Sequence, residues 1–225
     1  MDRRTFTRAL ASLALPSAAA SIPLLPSLAR AAPLTRAEHD ALNKGECVRR
    51  AVDAELESGV YLGGVSYCIA EAPAPFVLDM LKDVSLYKRI LALTLEANPV
   101  GTKGKDQLVF FKHGGKLGTA SYTMRIQPPD PSGVIRFWMD PAFDHEIEDI
   151  WGFVRVEPLA PARCLATYAV LCDLGTVLRL LFGEKVRDFA LDTPEHIRWV
   201  AADRYSASQR DPEPEAQPEY ALPPP

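Results

Sequence analysis

The feature that most constrains the fold is a run of strand-like segments over residues 92–173, followed directly by a long helical segment. In the clearest strand, Leu117–Gln127, the apolar residues Tyr122, Met124 and Ile126 alternate with polar ones. This period of two is typical of a strand with one buried face. A sheet with an apolar face needs a cover, and a long helix with an apolar stripe supplies one. The chain therefore predicts an α+β fold.

The other elements follow from the same patterns. Residues 34–56 have a loose helical stripe, and residues 76–90 read as two short helical pieces. Thr193-Pro194-Glu195 is typical of a helix start, so residues 174–205 are interpreted as one helix or as two in tandem. Strands are predicted over residues 59–71, 92–99, 107–113, 117–127, 134–139, 147–157 and 163–173. The prediction is a curved antiparallel sheet of about seven strands gripping a long C-terminal helix.

Residues 1–31 have the pattern of an export signal. Arg3-Arg4 precedes the alanine-rich run Ala9–Leu28, and Ala29-Arg30-Ala31 is typical of a signal-peptidase site. The pattern predicts recognition by the twin-arginine export machinery, cleavage after Ala31, and a periplasmic or extracellular location. The alternatives are an uncleaved anchor and a chance basic N-terminus. Prolines interrupt the run, however, and a spanning helix needs about 20 strongly apolar residues.

The charge of the chain limits its partners. The formal net charge is −4, and loss of residues 1–31, with four basic residues and one acidic residue, makes it −7. No run of lysine and arginine with interleaved aromatic residues occurs. The composition therefore argues against a nucleic-acid surface and against binding an anionic membrane by charge alone. After the signal, no segment of the sequence is long and apolar enough to span a bilayer.

Four pieces of the chain carry a family resemblance through their order and spacing. They are Tyr67–Pro73, Val77–Ile90 with its Asp83 and Tyr87, Trp151–Pro158, and Leu165–Asp173, followed by the terminal helix. This series resembles the START/Bet v 1-like (SRPBCC) superfamily, the helix-grip proteins that include polyketide cyclases and Coq10-type quinone-binding proteins. The resemblance covers roughly residues 58–205.

The resemblance implies a hydrophobic cavity between sheet and helix that takes a lipid, sterol, quinone, polyketide or similar apolar molecule. The sequence contains no cofactor or metal motif, so none is expected. It implies no shared set of catalytic residues. The export signal is unusual for the cyclase and quinone branches, so their substrates are not carried over. The expected organisation is a signal over residues 1–31, a helical lead-in over 32–57, a START-like ligand-binding domain over 58–205 and a disordered Pro- and Glu-rich tail over 206–225.

The expected ligand contacts are large apolar side chains on the inward faces of the middle strands and of the last helix. Methionine repacks easily and tyrosine offers one hydroxyl, which suits an adaptable apolar pocket. The alternative is an ordinary core in which the same side chains fill the space. The residues are Tyr122, Met124, Phe137, Met139, Tyr168, Leu178, Phe182 and Phe189.

The four cysteines, Cys47, Cys68, Cys164 and Cys172, allow three full pairings in an exported protein. No CxxC or other metal-ligand spacing occurs, so a zinc site is not expected. In the fold that the resemblance implies, the first and last strands are neighbours, which favours a Cys68–Cys164 disulfide. The alternative is that all four are small buried apolar residues.

Other polar residues give weaker signals. His113, at a strand end, could reach a cavity mouth as a general base, and a surface position is the alternative. Arg125 and Arg136 fall on the outward phase of their strands. A dense acidic cluster could bind Ca²⁺ or act as an acid/base pair, but it matches no calcium loop and reads as a solvated turn. Its members are Asp140, Asp144, His145, Glu146, Glu148 and Asp149.

The sequence therefore favours an exported protein that binds or carries an apolar, lipid-like small molecule. One alternative is an enzyme of cyclase, isomerase or hydrolase type that uses Tyr122 or His113. Another is an interaction protein of the cell envelope whose cavity is filled by its own side chains, with the Pro-rich tail as docking segment. A cavity above about 300 Å³, where small-molecule pockets begin, separates the first two from the third.

Overall fold

The computed structural model describes residues 33–56, 58–115 and 118–210. The predicted signal, with Arg3, Arg4 and the cleavage site after Ala31, lies outside the described residues, as do residues 211–225 of the predicted tail. The first part of that tail, residues 206–210, was predicted to be disordered but belongs to the last helix. Within the described ranges, no helix is long and apolar enough to cross a membrane.

The helices frame the chain and the strands occupy its middle. The α-helices are α1 (Arg36–Asn43), α2 (Ala74–Met80), α3 (Tyr87–Ile90), α4 (Gly175–Leu191) and α5 (Thr193–Arg210), with a 3₁₀ turn at Val84–Leu86. The strands are β1 (Val48–Leu56), β2 (Gly59–Ala70), β3 (Thr94–Lys103), β4 (Asp106–Gly115), β5 (Gly118–Ile126), β6 (Val134–Met139), β7 (Asp149–Ala160) and β8 (Arg163–Asp173).

The strands of the described residues form one antiparallel sheet in the order β1-β2-β8-β7-β6-β5-β4-β3. The long excursion from β2 to β3 carries α2 and α3, and β8 returns to lie beside β2. The sheet packs against the C-terminal helices through an apolar core that includes Val77, Phe111 and Ile197. The structure confirms the predicted α+β fold, with eight strands where about seven were expected.

The additional strand, β1, corrects the helical lead-in predicted over residues 34–56. Helix α1 starts at a Thr35–Glu38 capping box and ends at Asn43. The next nine residues pair with β2, from Val48 opposite Tyr67 to Leu56 opposite Gly59. A spacing of four residues, as between Val48 and Val52, puts side chains on one face in a helix and in a strand alike. The available β2 edge decides between the two.

The same strand corrects the predicted disulfide. Cys68 is bonded to Cys47, with a Cα–Cα distance of 4.7 Å, and Cys164 and Cys172 are buried free thiols. Cys47 directly precedes β1, whose register places it opposite Cys68. Across the β2–β8 ladder, Cys68 lies opposite Ala166, and Cys164 lies opposite Ala70. Strands β2 and β8 are neighbours as expected, but the register separates the two cysteines by two positions.

The C-terminal segment is two helices in tandem, one of the two interpretations drawn from the sequence. Helix α4 ends at Leu191, and α5 begins at the buried Thr193. Helix α5 buries Ile197, Val200 and Ala201 against the core, whereas Leu191 is the single fully buried residue of α4. The two helices therefore have different roles: α5 closes the core, and α4 covers a space.

Candidate functional site

A cavity of about 450 Å³ lies between the sheet and α4. Its volume exceeds the lower bound of about 300 Å³ for small-molecule pockets and falls within their usual range. This counts against the alternative in which the protein's own side chains fill the interior.

The sheet forms the floor of the cavity, and strands β5 and β8 contribute side chains to it. Strand β5 contributes Ala120, Tyr122 and Met124, which share one face because they are two residues apart. From β8, Tyr168, Val170 and Cys172 contribute in the same way. Because the lining residues are two positions apart in both strands, one face of each strand lines the cavity.

Helix α4 supplies the cover. Leu178, Phe182, Val186 and Ala190 recur every four residues and, with Phe189, line the cavity. The helix begins where Gly175 adopts a positive φ of 71° and donates its backbone N–H to the Asp173 carboxylate at 2.9 Å. This turn sends the chain from β8 back across the sheet.

Six of the eight predicted contact residues line the cavity: Tyr122, Met124, Tyr168, Leu178, Phe182 and Phe189. Phe137 and Met139 are buried in the core beside it. On its β5 side, strand β6 pairs only with the C-terminal end of β5, where Met139 is opposite Met124 and Phe137 is opposite Ile126. The Phe137 ring also packs on β7, where a Cβ added to Gly152 would lie 2.7 Å from it. These two residues therefore do not line the main cavity, and Phe137 lines a smaller pocket of about 50 Å³ that shares Met124 and Tyr168 with it.

The structure also adds residues that the sequence reasoning missed. Val170 and Cys172 follow Tyr168 at the strand period, and Val186 follows Phe182 at the helical period, so the same patterns could have identified them. The loop Leu91–Leu93 also lines the cavity. It has no periodic signal, and its position depends on a positive φ of 59° at Leu93.

His113 lies in the cavity wall, as one of the two interpretations of this residue proposed. Its Nδ1 is 3.4 Å from the Ala92 carbonyl oxygen and 3.2 Å from the Thr94 hydroxyl. Its ring stacks on Tyr122, with centroids 5.5 Å apart, and on Phe111. Burial lowers the pKa of His113 to about 4, so the imidazole is neutral at neutral pH. Its Nε2 is buried without a hydrogen-bond partner among the described residues.

The hydroxyl and thiol groups of the wall are also uncharged. Burial raises the pKa of Tyr122 and of Tyr168 well above the ordinary tyrosine value, and the Tyr168 hydroxyl has Thr193 as a hydrogen-bonding neighbour. Burial likewise raises the pKa of the Cys172 thiol. Among the described residues that line the cavity, Lys185 is the only one with a charged side chain, and it is exposed. The wall is therefore apolar with a few neutral hydrogen-bonding groups.

The other polar candidates lie outside the cavity. Arg125 is paired with Asp106, and Arg136 is paired with Asp130 at 2.8 Å. In the acidic cluster, Asp140 is buried and accepts from Lys103 at 3.1 Å. Within the described residues, no group of three or more His, Cys, Asp or Glu side chains could hold a metal ion.

Neither a family model nor a curated protein sequence matches this chain. Solved structures do. The Zhui aromatase/cyclase from Streptomyces sp. R1128 aligns with a TM-score of 0.55 at 16% identity, over 72% of this chain and 98% of that one. A STAR-related lipid transfer protein from Xanthomonas axonopodis gives 0.53 at 12%, over 68% and 98%. Human STARD10 gives 0.51 at 10%, over 80% and 84%.

At sequence identities of 10–16%, the structural similarity to these proteins shows the fold. The chain has the START/Bet v 1-like helix-grip fold, as the sequence resemblance implied.

Proposed function

We propose that this protein binds or carries one apolar small molecule in the cavity between the sheet and α4. The observation that carries the proposal is an apolar cavity of about 450 Å³ whose single charged lining residue, among those described, is exposed. This volume is near the lower end of the range for drug-sized ligands, which favours one compact molecule over a two-chain lipid. The lipid-transfer and aromatase/cyclase names of the structural neighbours agree with an apolar ligand.

The test uses a neutral apolar fluorophore, N-phenyl-1-naphthylamine, and native mass spectrometry of the gently extracted protein. We expect saturable binding with one molecule per chain and a co-purifying ligand. Ala120→Phe should weaken binding at least tenfold, because the ring occupies cavity space next to Tyr122. The matched control is Ala207→Phe, at an exposed position of α5, which should bind as the wild type does. Equal loss in both variants, or no saturable binding, would contradict the proposal.

Catalysis in the same cavity is the second candidate function. It is favoured by the neutral His113 imidazole, which stacks on Tyr122 in the wall and is in the correct protonation state for a general base. Its Nε2 is closed off in this structure, so general-base action requires the ring to move toward the ligand. An enzyme would convert a bound compound to a product of different mass or ring structure. His113→Gln should then abolish turnover while N-phenyl-1-naphthylamine still binds. If no turnover is found with the co-purifying compound, the carrier function remains.

The proposed location is the periplasm or the extracellular space, after twin-arginine export and cleavage following Ala31. The proposal depends on the Arg3-Arg4 pattern and the small-residue site at residues 29–31. The Cys47–Cys68 disulfide agrees with an oxidising compartment. Replacing Arg3 and Arg4 by lysine should leave the precursor in the cytoplasm, as measured by fractionation. A cleaved, exported double variant would show that a different route is used.

A further inference from the structure

The tyrosine hydroxyls of the protein interior differ in their hydrogen-bond partners among the described residues. Two buried tyrosines donate within the protein, Tyr61 to Asp149 and Tyr87 to the Leu81 carbonyl, both at 2.8 Å. The other tyrosine of the wall, Tyr168, has Thr193 beside its hydroxyl. The Tyr122 hydroxyl makes no hydrogen bond with another described residue. A buried polar group without a partner is costly, so the Tyr122 hydroxyl needs a partner from inside the cavity.

The Tyr122 hydroxyl remains open to the cavity. The buried polar atoms that are closed off without a partner include His113 Nε2, and the Tyr122 oxygen is not among them. Its ring is fixed by near-parallel stacking on His113, with an interplanar angle of 8°, and on Phe111, with centroids 6.0 Å apart. The position of the hydroxyl is therefore set by packing before any ligand arrives, which reduces the entropy cost of binding.

The surroundings of this hydroxyl exclude an ionised partner. Its near neighbours in the wall are Tyr168 and Cys172, and burial keeps all three groups protonated. The one charged lining residue among those described, Lys185, is exposed on α4. A carboxylate or phosphate at this depth would be a buried charge without a counter-ion, which is strongly unfavourable. A phenol is a better donor than acceptor, so a neutral acceptor oxygen fits best.

We infer that the buried end of the ligand carries an uncharged, carbonyl-type oxygen that accepts a hydrogen bond from the Tyr122 hydroxyl. This rests on the proposed binding function and adds the chemical class of the ligand: an apolar ketone, quinone or ester rather than a hydrocarbon or a molecule bound by an anionic head.

The test compares two probes of the same shape, 9-fluorenone and fluorene, which differ by one carbonyl oxygen. The wild type should bind fluorenone about three- to tenfold more tightly, the value of one neutral hydrogen bond. Tyr122→Phe should remove this preference and leave the fluorene affinity unchanged, which also shows that the variant is folded. Tyr205→Phe is the matched control, since Tyr205 lies on α5 and packs on Phe76 away from the cavity.

The carbonyl stretch of bound fluorenone gives a second measurement. It should lie at lower frequency in the wild type than in Tyr122→Phe, because a hydrogen bond weakens the C=O bond. If both probes bind the wild type equally, or if Tyr122→Phe keeps the preference, the inference is overturned and the binding function stands. If neither probe binds saturably, the binding function fails and the inference fails with it.

Discussion

His113 is held in its neutral form by its surroundings and not by a charged partner. Its ring packs beside Phe111 and Tyr122, and its Nδ1 faces the Ala92 carbonyl and the Thr94 hydroxyl. The residue is therefore a neutral part of the wall.

This environment makes stability depend on pH. The pKa of His113 is about 4 in the folded protein and 6.5 for an ordinary histidine, so the unfolded chain gains a proton first as the pH falls. The stabilising contribution is complete above pH 6.5 and is lost as the pH falls through about 4. Between these values the wild type should lose up to about 3 kcal/mol more unfolding free energy than His113→Gln.

The measurement is urea denaturation of the ligand-free proteins at several pH values between 4 and 7. The slope with pH is compared, and not the stability at one pH, because the glutamine also removes the ring stacking. Identical slopes for the two proteins would contradict the assignment of a buried neutral imidazole.

For individual residues, the sequence predicted which face of a strand a side chain lies on, but not which residues that side chain contacts. The alternation over residues 118–126 correctly placed Tyr122 and Met124 on the inward face of β5. That Tyr122 lacks an internal hydrogen-bond partner depends on contacts with β4, β8 and the loop at Leu91–Leu93. Such contacts are formed by residues far apart in the chain, and no local pattern encodes them.

Among the elements, β1 depends most on a covalent link. It is an edge strand, paired on one side with β2. The Cys47–Cys68 bond ties its start to β2 and closes a loop with a sequence separation of 21. Cys47→Ser should therefore lower the unfolding free energy by about 3 kcal/mol, as expected for a loop of this length.

Two observations check the disulfide prediction. Reductant should destabilise the wild type by the same amount and leave Cys47→Ser unaffected. Non-reducing peptide mapping after alkylation in denaturant should give linked Cys47 and Cys68 and two alkylated cysteines, Cys164 and Cys172. Four alkylated cysteines, or a Cys68–Cys164 link, would refute this pairing.

The element boundaries show where local signals succeed. The break between α4 and α5 coincides with Thr193-Pro194, whose preference for a helix start is a local property. The identity of β1 is not local, because Val48–Leu56 becomes a strand only through its partner β2. Disulfide pairing cannot be predicted from local signals either, because it depends on which residues of two strands lie opposite each other.

For the whole molecule, the order of strands and helices predicted the fold and the family resemblance strengthened it. The cavity itself could not be read from the sequence, because a packed core and a lined space use the same apolar side chains. Phe137 and Met139 illustrate this: they share the pattern of their neighbours but fill the core. The difference lies in how far β6 overlaps β5, which depends on the register of the two strands and not on the pattern within either one.

Ligand binding in the cavity under α4 is thermodynamically coupled to folding. An unfilled apolar space costs folded-state free energy, and a molecule that fills it binds the folded chain and not the unfolded one. At a hundredfold excess over Kd this adds about 2.7 kcal/mol to stability. For a chain of this size, that corresponds to a rise in Tm of roughly 5–10 °C. A thermal melt can therefore rank candidate compounds without a label, and Ala120→Phe, which already fills part of the space, should show a smaller rise.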